Sequence, residues 1–368
     1  MPSDSEVIIA SETDGTRHKV IINPSARIKR PKCTPRAPLM MTSVKVSYIE
    51  HSEQDEKYHM RIVKDVNERK TTWKAVYNKF ASRSRDYGFM LEPEYQKTYM
   101  LRNIVLDRNA TFEELVGDTM SHVKELADMS IDLPKSFDAR EKWPFCESIH
   151  RVVNQGGCGS CYAVAATSVI SDRICIKSKG KSQPFISSQD LISCCKDCGG
   201  CHGTVWALLS FNHWRDHGIV SGGAYGSLEG CIPYRHAPNC GSPCSIDVYS
   251  KKKNDMECRK KCQPLYSKNY DDDLHKAKSV YWIKVNKVTV ANIEQLKPVA
   301  NITKGIYESQ TSPLSKDLYG HCAKLIGWGE ESGVKYWTYM NTWGRDFGLD
   351  GFFKTSEDPE EVAAGIPF

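Results

Sequence analysis

Thirteen of the chain's fifteen cysteines fall between Cys146 and Cys262. Many free thiols in one domain have little rationale in a reducing cytosol apart from metal binding. The crowding therefore predicts a disulfide framework and an oxidising compartment. Spacing alone does not choose the pairs. A rival stays open here: Cys195-Lys196-Asp197-Cys198 and Cys198-Gly199-Gly200-Cys201-His202 have zinc-like spacing. The opening MPSDSEVIIASETDG pulls against secretion, because its acids precede a short apolar run where a secretory leader has a basic flank and a long apolar one. The cysteines carry more weight, and the conflict disappears if the true N-terminus differs from this one. In a secreted chain, Asn109-Ala110-Thr111 and Asn301-Ile302-Thr303 are glycosylation acceptors.

A chain of 368 residues exceeds one typical core and predicts two or three compact units. A net charge of +5 does not point to a nucleic-acid partner, and no stretch is apolar for long enough to span a membrane. Residues 1–50 lack periodicity. Their basic run (Arg27, Lys29, Arg30, Lys32, Arg36) reads as part of a solvated, disordered tail. Residues 51–132 are charged and helix-prone, with a stripe through Ile62, Val66, Trp73, Val76, Tyr77 and Phe80. Composition changes at Leu133-Pro134, where cysteines, glycines and aromatics begin to crowd in, so a third region covers 133–368.

Within that region, Tyr162, Ala166, Val169, Ile170 and Ile174 are spaced as on a buried helix. Gly156, Gly157 and Gly159 stop the helix from extending backward, which puts Cys161 at its N-terminus. A thiol becomes a strong nucleophile as a thiolate, and the helix N-terminal partial charge favours that form. An exposed, low-pKa thiolate is therefore expected at Cys161, labelled by alkylating agents before any other cysteine. Downstream, residues 324–328 and 334–339 read as strands separated by a Gly329…Gly333 turn. Helices first and strands second predict two subdomains with a cleft between them.

The run Cys158-Gly159-Ser160-Cys161-Tyr162 is the papain/cathepsin cysteine signature. Gly320-His321-Cys322 and Asn341-Thr342-Trp343-Gly344 resemble that family's histidine and asparagine motifs, and Leu133 to Arg140 resembles a mature cathepsin B start. Together the motifs make residues 133–368 similar to the cathepsin B branch of papain-like cysteine proteases. The resemblance implies an α+β fold with a helical left half, an antiparallel β-barrel-like right half and a helical N-terminal prosegment. It implies Cys161 as nucleophile, His321 as its ion-pair partner, Asn341 as the group orienting the imidazole, and Trp343 as the cover over that contact. Gln155 would hydrogen-bond the oxyanion, where losing a donor typically costs about 100- to 1,000-fold in rate. Gly203, Thr204 and Gly320 would line the substrate strand. The implied disulfides are Cys146–Cys175, Cys158–Cys201, Cys194–Cys258, Cys195–Cys198, Cys231–Cys262 and Cys240–Cys244. That set leaves His202 as the one zinc candidate without a disulfide, so no metal and no cofactor are expected. Expected partners are peptide and protein substrates and cystatin-like inhibitors, with the protein a monomer in the lysosome or outside the cell.

The chain also departs from the family. Tyr162 replaces the usual Trp, and Cys201-His202-Gly203-Thr204 replaces Cys-Asn-Gly-Gly, so a β-branched residue stands where substrate approaches. Only Gly241-Ser242-Pro243 lies between Cys240 and Cys244, where the cathepsin B loop carries a histidine pair; His236 precedes it alone. Asn301-Ile302-Thr303 runs directly into Lys304-Gly305-Ile306-Tyr307, so the resemblance implies that a strand of the family is missing here. Pro359 occupies the position of the family's specificity glutamate. Beside an endopeptidase made as a zymogen stand two alternatives: a catalytically impaired homologue that binds peptides or inhibitors, and a splice or gene-model variant of an active enzyme.

Overall fold

The computed structural model describes residues 53–69, 73–76, 133–201, 203–204, 206–238, 257–284, 305–307, 321–356, 358–359 and 361–368. The tail, Asn109, the Cys240–Cys244 loop, the junction around Asn301 and Gly320 lie outside the described residues. None of the described helices is long and apolar enough to cross a membrane.

Helix α1 spans Glu53–Glu68. Of the stripe expected to continue through residue 80, Tyr77 and Phe80 lie outside the described residues, and residues 73–76 lie outside the helix, because Asn67 turns the chain. Its Oδ1 accepts from the Ala75 amide at 2.8 Å, and its Nδ2 donates to the Ala75 carbonyl at 2.9 Å. These bonds hold residues 73–76 outside the helix. Trp73 forms an antiparallel bridge with Gly305 and packs on Tyr307 with ring centroids 5.0 Å apart, both side chains being buried.

After the two-residue strand β1 (Phe137–Asp138) come the short helices α2 (Ala139–Lys142) and α3 (Glu147–His150). The long helix α4 follows (Cys161–Ser178), then α5 (Ser188–Cys194) and α6 (Leu208–Asp216). Helix α4 is buried on most of its surface, as a central helix must be. Its C-terminus closes with Lys179 in the left-handed region, Gly180 N–H bonding Cys175 O and Lys179 N–H bonding Ile176 O, a Schellman arrangement that satisfies terminal carbonyls. Tyr162, Ala163, Val164, Ala166 and Ile170 from α4 share a core with Leu208, Leu209, Phe211 and Trp214 from around α6.

The strands supply the other half. β2 (Ala277–Lys284) pairs antiparallel with β6 (Glu361–Pro367) and contributes Ala277 and Val280 to the same core. A second sheet has the order β1-β3-β4-β5, with β3 at Lys324–Glu331, β4 at Val334–Met340 and β5 at Phe352–Thr355. The β3–β4 hairpin turns at Ser332-Gly333, with φ of 54° and 80°. Two successive positive φ values suit a two-residue hairpin turn matched to strand twist. Gly329 stays inside β3 opposite Tyr336, so the turn is shorter than expected from Gly329…Gly333. Ile326, Met340 and Phe352 pack from this sheet on Ala139, Ile149 and the Cys146–Cys175 pair.

Five disulfides are present among the described residues: Cys146–Cys175, Cys158–Cys201, Cys194–Cys258, Cys195–Cys198 and Cys231–Cys262. They take up the sulfurs of Cys195, Cys198 and Cys201 that zinc-like spacing had singled out. Among the described residues, Cys158, Cys201 and His236 come close enough together to suggest metal ligation, but Cys158 and Cys201 are bonded to each other. Such sulfurs offer no thiolate to a metal.

Candidate active site

Cys161 is the first residue of α4. Its backbone N–H belongs to the first turn of the helix, where amides have no intrahelical acceptor. The preceding loop is pinned. The Gly159 amide donates to Cys201 O at 2.9 Å, and a Cβ on Gly159 would stand 2.4 Å from that oxygen. Glycine is therefore required for the Cys158–Cys201 disulfide and the helix start to lie so close. Ser160 Oγ and Tyr234 Oη are 2.7 Å apart, and Tyr234 Oη donates to Gln155 O at 2.7 Å. Tyr162 extends behind the site to donate from its hydroxyl to Gly200 O at 2.8 Å.

The other half of the site arrives from the sheet. His321 lies just before β3, and Asn341 follows β4. His321 Nε2 is 2.7 Å from Asn341 Oδ1. Asn341 is buried, and the same Oδ1 also accepts from the Thr342 amide at 2.7 Å, which orients its side-chain amide. The Trp343 ring lies 4.7 Å from the His321 ring, centroid to centroid, and is itself backed by Phe347 at 5.1 Å.

Backbone pairing brings the halves into register. Gln155 N donates to Thr342 O at 2.8 Å and Gly344 N to Val153 O at 3.0 Å, around an Asn154↔Trp343 bridge. Gln155 is fully buried. Its Oε1 accepts from Thr342 Oγ1 at 2.5 Å, which fixes Nε2 as the donor end, and Nε2 donates to Cys158 O at 2.8 Å. An amide nitrogen carries two hydrogens, so one remains for a further acceptor.

The electrostatics favour an ion pair. A hydrogen bond from the Cys322 thiol is the largest influence on Cys161 and lowers its pKa. Burial opposes this, but hydrogen bonding and charge attraction from His321 add to the lowering, and the thiol is held well below its ordinary value. For His321, burial works against the cation. The bond to Cys161, the thiolate charge and the bond to Asn341 outweigh it and raise its pKa. Cys161 is only 4% exposed, which corrects the expectation of an exposed thiolate; the activated sulfur is enclosed.

The remaining residues singled out from the sequence are placed as follows. Gly203 has φ of 87°. Thr204 is buried, with its hydroxyl bonded to the Trp206 backbone (3.3 Å to O, 3.5 Å from N), so the β-branched side chain is turned into the protein. His236 is buried beside Tyr234, with its Nε2 3.8 Å from Cys201 Sγ. Three contributors had no role in the sequence reading: Thr342, Tyr234 and Cys322. Thr342 was accessible as the middle of the Asn-x-Trp motif. The part played by Tyr234 depends on a contact 79 residues away and left no local trace.

Comparison with known proteins agrees with this geometry. The model of the papain family of cysteine proteases matches residues 133–366. Cathepsin B-like cysteine proteinase 6 of Caenorhabditis elegans is 37% identical over 67% of this chain and 70% of its own length. Cathepsin B-like cysteine proteinase 1 of Ostertagia ostertagi is 35% identical over 74% of this chain and 82% of its own. Among solved structures, proCathepsin B S9 from Trypanosoma congolense superposes with a TM-score of 0.55 at 24% identity, covering 84% of this chain and 98% of that one. A digestive procathepsin L2 proteinase from Tenebrio molitor shares the fold at a TM-score of 0.55 and 19% identity, covering 87% of this chain and 95% of that one.

Proposed function

This chain belongs to the papain family of cysteine proteases, and we propose that it works as an endopeptidase, made as a zymogen and using Cys161 and His321 as its catalytic pair. The observation that supports the reading most is Cys161 standing as the first residue of α4, with His321 Nε2 held 2.7 Å from Asn341 Oδ1. The Cys161 thiolate attacks the scissile carbonyl carbon. The carbonyl oxygen, now an oxyanion, takes hydrogen bonds from the Cys161 N–H and the second Gln155 amide hydrogen. His321 gives its proton to the leaving amine, and the acyl group stays on the sulfur. His321 then removes a proton from water, which attacks the acyl carbon and releases the acid. Asn341 keeps the imidazole facing the sulfur, and Trp343 shields that hydrogen bond from water.

The prosegment reading rests on α1 and on Trp73, which docks against Gly305 and Tyr307. Cleavage shortly before Leu133 is the proposed maturation step. The disulfides fit an oxidising compartment, lysosomal or extracellular, and glycosylation at Asn109 and Asn301 belongs to the same reading.

Cutting within chains, without release of C-terminal dipeptides, follows from the short Cys240–Cys244 loop and from His236. Exopeptidase action needs a positive group for a free carboxylate, and His236 is buried against the Cys158–Cys201 disulfide. With matched peptides offered to the matured protein near pH 5–6, the one with an amidated C-terminus should be cut at least as well as the one with a free C-terminus. A clear preference for the free acid, with dipeptide products, would overturn the assignment. Failure to cut either, with Cys161 unlabelled by an epoxide inhibitor, would instead favour the inactive homologue.

The pair also sets a pH dependence. With the Cys161 pKa lowered and the His321 pKa raised, the thiolate–imidazolium form fills the window between them. The kcat/KM profile should therefore be bell-shaped, rising as Cys161 loses its proton and falling as His321 loses its own. Cys322→Ala removes the largest influence lowering the thiol, so its acid limb should move to higher pH. An unmoved acid limb would show that the Cys322 thiol does not support the thiolate.

A further inference from the structure

The segment that carries both oxyanion donors, Gln155 to Cys161, contains three glycines, and Gly156 stands at φ of 60°. Glycine leaves a backbone free to take many shapes. The separation between the Gln155 side chain and the Cys161 N–H must therefore be imposed from outside the loop. Residues 234–237 lie against it. A Cβ on Gly156 would stand 2.7 Å from Ala237 O and 3.0 Å from His236 O. This second segment is itself anchored. Tyr234 N donates to Gly223 O and Arg235 N to Gln189 Oε1, each at 3.0 Å, and nearby Cys231 is bonded to Cys262.

The Tyr234 hydroxyl touches both ends of the loop. Gln155 O can only accept, so the one Tyr234 hydroxyl hydrogen goes to it, at 2.7 Å. Ser160 Oγ, 2.7 Å from Tyr234 Oη, is then the donor in that contact. The bonds run one way, from Ser160 to Tyr234 to Gln155, and all three residues are buried. Ser160 is the N-cap residue of α4, a position where a serine oxygen ordinarily accepts from an amide of the first turn. Here its side chain makes no cap bond. The hydroxyl serves Tyr234 instead, and no serine oxygen occupies the amides beside the Cys161 N–H.

We propose that Tyr234 is a positioning residue for peptide cleavage: its hydroxyl ties the two ends of loop 155–160 and so fixes the spacing of the Gln155 amide and the Cys161 N–H. The inference rests on the proteolytic reading and deepens it. Tyr234 acts through the two donors. The oxyanion they receive exists only in the tetrahedral species, so their spacing bears on the transition state and little on the bound peptide. A misplacement of about 1 Å can cost about 100-fold in rate. The other ties on the loop, Gln155 N to Thr342 O and Gly159 N to Cys201 O, limit how far it shifts when the hydroxyl is lost.

Tyr234→Phe tests this. It keeps the ring, whose centroid lies 5.2 Å from that of His236, and removes only the hydroxyl. In matured protein, with active sites titrated by an epoxide inhibitor, kcat on a peptide substrate should fall about 10- to 100-fold while KM stays within about twofold. Alkylation of Cys161 by iodoacetamide should keep its rate, because attack on a saturated carbon forms no oxyanion. Gln155→Ala lowers kcat by itself, and adding Tyr234→Phe to it should cost under about threefold more, since the spacing of an absent donor has no effect. Ser160→Ala breaks the same chain of bonds at its other end. It should also lower kcat and not KM, and it decides the matter if Tyr234→Phe does not fold. An unchanged kcat in the folded variant would overturn the proposal. So would alkylation slowed in step with kcat, which would place the damage in the Cys161–His321 pair. A parent protein that cuts no peptide although Cys161 is alkylated would overturn the proteolytic reading, and the role of Tyr234 with it.

Discussion

Cys161→Ala should lower kcat/KM by about a million-fold, measured on chain whose prosegment has been removed by an added protease. The size follows from the chemistry, because the proposed reaction uses the Cys161 sulfur as its nucleophile. Gln155 and the helix N-terminus remain to bind the carbonyl oxygen, but no sulfur attacks it. His321→Ala should cost nearly as much, since the thiolate loses its cation and the leaving amine its proton source. The double variant should be little worse than either single one, because the two groups act as a unit. A loss of under about a hundredfold for Cys161→Ala is the size expected from removing one hydrogen-bond donor, and it would show that another group attacks. Circular dichroism should be unchanged, as the substitution shortens a side chain that makes no disulfide.

Lys324→Met should destabilise the protein by about 3–5 kcal/mol. Lys324 is 2% exposed and donates from Nζ to Asp172 Oδ2 and to Ser148 O, each at 3.0 Å. Methionine fills much the same space but leaves the Asp172 carboxylate in the interior without its cation. The melting temperature should drop by on the order of 10 °C. Adding Asp172→Leu should restore most of that loss, because an apolar pair of similar volume often replaces a buried ion pair without cost. If the double variant melts as low as Lys324→Met, the loss comes from the Ser148 contact or from packing, and the ion-pair account fails. The effect should reach activity too. Lys324 follows His321 by three positions, and its partner is on the helix that starts at Cys161.

Local signals carried much of this architecture. The glycines before Cys161 and the apolar spacing after it were enough to start α4 at the right residue, because both act within a few positions of the chain. The β3–β4 hairpin was visible for the same reason. Its turn was misplaced because Gly329 resembles a turn residue, whereas Glu330 and Glu331 keep pairing with Lys335 and Val334. Helical spacing through residue 80 was equally plausible from periodicity, and only the Asn67–Ala75 bonds show that the chain leaves the helix. Cys322 stands outside the six disulfides that the resemblance implies, and its influence on the Cys161 thiol joins two halves of the fold with no signature in either segment. The burial of the nucleophile was hidden for a related reason: a motif names the residue, while its enclosure depends on what the other half brings to it.

All five disulfides join residues between Cys146 and Cys262, so strands β2 to β6 contain none among the described residues. Each such bond typically contributes about 2–4 kcal/mol by restricting the unfolded chain, and that restraint falls on one side of the active site. On warming, the sheet side should open first, taking His321 and Asn341 away while Cys161 stays on its cross-linked helix. Such a half-open molecule has a sulfur with no base, and its loosened strands are within reach of intact copies of the same protease. Inactivation by heat then becomes a loss of mass as well as of activity, with the rate set by how often one half lets go and by how many neighbours are present to cut it.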